Sequence, residues 1–240
     1  MFRPTMLAMA ALLTAGTGAA QQQAATKFTI RIENTTSAPV LKLAGGGAAP
    51  FVMAPVLWAV HDLREPDFTV GTADRRQGLE TLAETGNPEP LVKALTGKRG
   101  IRAAGAMAVP VGEMAGGPLT PGKAYEFSVM ARPGDRLSLA WMFGQSNDLF
   151  YGLSSYGVPL FDANGMARSG DFTRYVMLYD AGTEVNEEPG SGPNQAPRQK
   201  MANDGVSENG FVRPVNDQFQ YPVIGTVMKV TVTAAGASAM

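Results

Sequence analysis

The chain has 240 residues, 45% apolar and 17% charged, enough for one sizeable core, and its 20 Lys and Arg against 21 Asp and Glu give no clustered cationic charge for a nucleic-acid partner. The absence of cysteine excludes disulfides, thiol catalysis and Cys-ligated zinc. His61 is the only histidine, which argues against a catalytic zinc centre.

The N-terminus reads as a secretory signal. Arg3 precedes the apolar run "MLAMAALLTAGTGAA", and Gly18 and Ala20 supply the small residues before a cut after Ala20. The run is too short and too rich in Ala and Gly for a membrane span. The expected mature protein is residues 21–240, a single secreted or periplasmic domain that does not span the membrane, with loose ends at 21–26 and 236–240.

Residues 28–33, "FTIRIE", alternate apolar and polar as a half-buried strand does. A Gly- and Pro-broken segment of short extended pieces follows, through "APVLWAVH". Between Arg75 and Thr96 the spacing of Leu79, Leu82 and Ala83, then of Leu91, Ala94 and Leu95, predicts two short helices with a break at Gly86–Asn87. Beyond Gly100 the strand pattern returns as "AMAVPV", "AYEFSVMA" and "DRLSLAWMF". The "RPGD" turn predicts that the last two form a hairpin. Asn164–Gly165 predicts a second tight turn in "LFDANGM". "DFTRYVMLYD" leads into an acidic stretch and a Gly/Pro-rich loop, and "YPVIGTVMKVTVTA" closes the chain as a strand. About eight short strands with one helical insertion predict an all-β, antiparallel β-sandwich.

Several chemistries are missing. There is no phosphate-binding Gly-Lys-Ser/Thr, no Gly-x-Ser-x-Gly elbow and no dinucleotide fingerprint. Trp58 and Trp141 sit in apolar surroundings as core residues, and the scattered methionines read as gap fillers. One catalytic alternative is a cell-envelope hydrolase using His61 with Asp62 or Asp67 and a serine such as Ser154 or Ser155.

The informative feature is acidic. Asp148 follows the strand "LSLAWMF", Asp180 follows the strand "RYVMLY", and Glu184 comes one tight turn later. Acids at strand ends suit calcium, a hard cation bound by carboxylates, carbonyls and water. Gly182 lets the backbone curl so that Asp180 and Glu184 face one point.

"SNDLFYGL" and "YDAGTEVNEEPGSGPNQ" resemble the two signature stretches of the spondin domain family, in order and about thirty residues apart. The resemblance extends to "APVLWAVHD", "GLETLAETGNPEPL", "GDRLS", "LFDANG" and "NQAPRQ". It implies an antiparallel sandwich of calcium–lipid-binding topology and a non-catalytic calcium-binding module, with Asp148, Asp180 and Glu184 as metal ligands. Glu184 stands where the family carries Asp, Leu149 where the animal members carry Trp, and the animal members' cysteines are missing. Animal spondin domains serve adhesion and recognition, so the implied partner class is an envelope or extracellular glycan or protein. Glu187 and Glu188 are expected to be solvated.

Overall fold

The computed structural model describes residues 24–62, 66–201 and 203–236. The expected signal at 1–20, its cut after Ala20 and the outermost part of both expected loose ends lie outside the described residues.

In chain order the elements are β1 (Thr26–Asn34), β2 (Leu41–Lys42), β3 (Ala48–Ala49), β4 (Val56–His61), α1 (Leu79–Thr85), α2 (Glu89–Leu95), β5 (Ile101–Met107), β6 (Ala124–Ala131) and β7 (Arg136–Met142). There follow β8 (Leu149–Leu153), β9 (Val158–Pro159), β10 (Gly170–Asp171), a single 3-10 turn (Thr173–Tyr175), β11 (Val176–Asp180), β12 (Arg213–Pro214), α3 (Ile224–Val227) and β13 (Met228–Ala234). They build an all-β antiparallel sandwich. One sheet has the order β10-β13-β1-β6; the other runs β12-β11-β8-β7-β4-β5, with β9 beside β7.

β1 forms for the reason its alternation gives. Phe28, Ile30 and Ile32 turn inward and are fully buried, while Thr29, Arg31 and Glu33 face outward. Ile30 lies opposite Val232 of β13 on one side and Phe127 of β6 on the other. Between the sheets the core closes on aromatic side chains: Trp141 meets Tyr151 at 5.9 Å and Phe51 meets Phe143 at 5.6 Å between ring centroids. Trp58 is half-buried and stacks on Phe127 of the opposite sheet at 5.8 Å, so both tryptophans are core residues.

The larger sheet is covered twice. Its outer face carries α1 and α2, whose Leu79, Leu82, Leu91 and Leu95 pack on Leu57, Ala59, Ala140 and Phe150. Each leucine so buried contributes about 2 kcal/mol. Burial on both faces accounts for the nearly unbroken apolar character of β7 and β8. The break between the helices falls at Gly86 as expected: φ is +70°, and its N–H closes on the Leu82 carbonyl at 3.1 Å. Asn87 Oδ1 then accepts the Glu89 amide at 3.1 Å.

Two sequence expectations about strands are corrected. The "RPGD" turn forms, with the Asp135 amide on the Arg132 carbonyl at 2.9 Å, but β6 and β7 are not a hairpin. β6 pairs with β1 in the smaller sheet, whereas β7 pairs with β4, β8 and β9 in the larger one. β6 alternates between buried and exposed residues and suits a sheet with one wet face; β7 is buried on both faces and fits only beneath the helices. The strand expected at "AMAVPV" instead spans Ile101–Met107. Its small residues make room for Trp58, since a Cβ at Gly105 would meet the indole at 2.6 Å.

Candidate metal centre at the strand ends

β8 and β11 run antiparallel with Asp180 opposite Leu149, so the start of one strand meets the end of the other. This places Asp148 beside Asp180, and the Ala181 amide donates to the Asp148 carbonyl at 3.2 Å. The chain then reverses at Gly182, where φ is +72° and a Cβ would meet the Phe211 amide nitrogen at 2.6 Å. The reversal aims the amides of Thr183 and Glu184 at Asp148 Oδ2, each at 3.0 Å. The Gly182 amide donates to Asp180 Oδ1 at 2.6 Å. Glu184 is held further out: its Oε1 accepts the Gly205 amide at 3.0 Å, and a side chain at Gly205 would collide with the carboxylate. Asp148, Asp180 and Glu184 thus come to one end of the larger sheet.

Two participants carried no clear signal in the sequence. Glu84, in the last turn of α1, is 1% exposed and its Oε1 lies 2.9 Å from the Thr183 hydroxyl. Its only trace in the sequence is its place next to the buried pair Leu82–Ala83. Arg213 of β12 donates to Asp180 Oδ2 at 2.6 Å and to Glu208 Oε1 at 2.7 Å. Nothing in the loop around Arg213 distinguishes it; only the pairing of β12 with β11 brings it across from Asp180.

Burial sets the electrostatics. Desolvation pushes the Asp148 carboxyl up to about 7, with the charge of Asp180 adding to it against the amides of Glu184 and Thr183. Glu84 is pushed up to about 8, again first by desolvation, then by its acidic neighbours Glu184, Glu80 and Asp148. Asp180 and Glu184 are raised by burial too, and hydrogen bonds from Gly182 and Gly205 oppose the rise. Among the described residues, three oxygens here are buried with no partner: Asp148 Oδ1, Glu84 Oε2 and Asn186 Oδ1. Buried polar atoms are normally satisfied, so a group of them in one place marks an unmet demand for positive charge or a donor.

The oxygens differ in their freedom to bind a cation. Asp180 is already engaged on both sides, by the Gly182 amide and by Arg213 with Asn186, whose Nδ2 donates at 2.8 Å. Asp148 and Glu84 each keep one open oxygen. Among the described residues, no group of three or more His, Cys, Asp or Glu side chains has its donors placed to hold a metal ion. A cation here would take two carboxylates and complete its shell with neutral oxygens and water, which calcium accepts.

The residues of the catalytic alternative lie elsewhere. His61 is fully buried within β4, and its Nε2 is 3.0 Å from the Ser138 hydroxyl. Ser155 is buried and Ser154 half-buried, and Asp62 forms an ion pair with Arg102 at 2.5 Å. Asp67 is 3% exposed, both its carboxylate oxygens lack a partner among the described residues, and desolvation pushes it up to about 7.

Glu187 and Glu188 are not simply solvated. Glu187 accepts the Asn194 amide at 3.0 Å and ties the loop to itself, while Glu188 accepts the Ala44 amide at 2.6 Å and ties the loop to the turn between β2 and β3. The Ser191 hydroxyl and the Ala44 amide hold the Glu188 carboxyl below the usual range. Comparison with family models and with curated proteins gives no match, so the spondin-like reading rests on the two strand-end stretches themselves.

Proposed function

We propose that this chain is an exported, non-catalytic calcium-binding recognition or adhesion module of the spondin type. The observation that supports it best is the buried, unpartnered oxygen of Asp148 at the head of β8, beside Asp180 and beneath the turn that carries Glu184. A bound calcium ion supplies the positive charge that this group of carboxylates lacks. Asp148 orients the turn through the Thr183 and Glu184 amides, Asp180 anchors the sheet edge to Arg213, and Glu184 fastens the loop at Gly205. Ion binding would therefore stiffen the loops at one end of the sandwich, where a glycan or protein partner of the envelope or extracellular space would dock. Among the described residues no helix is long and apolar enough to cross a membrane.

Equilibrium dialysis of the purified, metal-stripped protein against calcium at pH 7.5 tests the reading. Saturable binding of one ion per chain is expected, and capture of a partner from envelope extract should then require calcium. Absence of saturable binding overturns the proposal.

A further inference from the structure

The demand for charge is greatest between two helix- and strand-borne acids, only one of which the strand-end motif contains. Thr183 Oγ1 lies 2.9 Å from Glu84 Oε1 and 3.2 Å from Asp148 Oδ2. A threonine hydroxyl has one proton, so it satisfies one carboxylate and leaves the other facing its lone pairs. Each acid also keeps its second oxygen buried and unpartnered, Glu84 Oε2 and Asp148 Oδ1. Glu84 is 1% and Asp148 0% exposed, so neither is solvated by bulk water. A cleft of about 210 Å³, lined by Arg76, Gly182, Thr183 and Asn209 among others, opens at the surface beside Thr183.

We propose that Glu84 is a cation ligand of this protein, standing across Thr183 from Asp148, and that Asp180 stays paired with Arg213 when the site is filled. The inference rests on the calcium reading and extends it from the loops to helix α1. Ion binding would then cross-link the helical layer to the strand ends, through Glu84 on one side and Asp148 on the other. A hard divalent ion fits because every open donor is oxygen: two carboxylates, a hydroxyl and water.

The test is calorimetric titration of calcium chloride into the metal-stripped protein, as wild type, Glu84→Gln and Glu89→Gln, with the melting temperature of each metal-free form. Glu84→Gln should weaken calcium binding by about tenfold or more, the least expected when even an outer partner of a metal is lost. The same variant should melt higher than wild type without metal, because the cost of burying a carboxyl there is removed. Glu89→Gln removes a charge from the exposed first turn of α2 and should leave the affinity nearly unchanged. Calcium binding by the wild type with unchanged affinity in Glu84→Gln overturns the assignment of Glu84 and leaves the calcium reading standing. No binding by the wild type overturns both. Should Glu84→Gln fail to fold, Thr183→Val takes its place: it keeps both acids but removes the shared hydroxyl, and an unchanged affinity would overturn the bridged geometry.

Discussion

Asp67 offers the sharpest test of the electrostatics, because its carboxyl is buried and, among the described residues, neither of its oxygens has a hydrogen-bond partner. Desolvation dominates its rise from 3.8 to about 7, and the charges of Arg75 and Lys98 and the nearby amides of Asp67 and Phe68 offset only part of it. Between those two values the folded state holds a proton that the unfolded state has released. Stability therefore falls as pH rises from about 4 to about 7, and levels off above. A rise of that size corresponds to about 4 kcal/mol, of which about 2–3 kcal/mol is lost between pH 5 and pH 8. Asp67→Asn keeps the shape and removes the titration. Urea unfolding of wild type and variant at pH 5 and pH 8, both in chelator, isolates Asp67 from the other raised carboxyls, which the two proteins share. The variant should gain about 2 kcal/mol or more relative to wild type on going from the lower to the higher pH. A stability difference that is the same at both pH values would refute the account of this site.

Asn34→Ala should cost about 3 kcal/mol in urea unfolding, since Asn34 is wholly buried and its amide bonds the carbonyls of Phe51 and Leu119 and both donors of Thr36; a loss near zero would show that these bonds are replaced by water. Gly182→Ala forces a left-handed residue and a clash with the Phe211 backbone, so it should both lower the melting temperature and weaken calcium binding; an unaffected calcium isotherm would separate the turn from the ion site. A panel of esterase, peptidase and glycosidase substrates should show no turnover that disappears in His61→Ala, and such turnover would replace the binding-module reading by a hydrolase.

The sequence displayed local structure well and the packing of layers less well. Alternation in β1 and the three-and-four spacing in α1 and α2 are properties of single elements, and both survive into the fold with the Gly86 break in place. The "RPGD" turn was legible as a turn, but the same four residues serve a hairpin or a crossing between sheets. Which of the two occurs depends on whether both faces of the next strand are covered, and the helices of the covering layer lie roughly forty to sixty residues upstream. The acids of the site divide in the same way. Asp148, Asp180 and Glu184 announce themselves by sitting at strand ends. Glu84 is hidden because an acid next to an apolar stripe looks like an ordinary solvated helix residue until Thr183 is folded against it. Arg213 is hidden because its partner Asp180 is 33 residues away along the chain.

The central claim is that a calcium ion completes the acidic end of the sandwich, and thermal unfolding in calcium and in chelator tests it most directly. An ion that binds only the folded state at a hundredfold excess over its dissociation constant stabilises by about 2.7 kcal/mol, or about 5–10 °C in melting temperature for a chain of this size. Magnesium should give a smaller rise, because it demands octahedral geometry and gives up water reluctantly. Asp148→Asn should remove most of the calcium response, while Glu187→Gln, whose carboxylate serves Asn194, should retain it. Equal melting temperatures in calcium and in chelator would contradict the account.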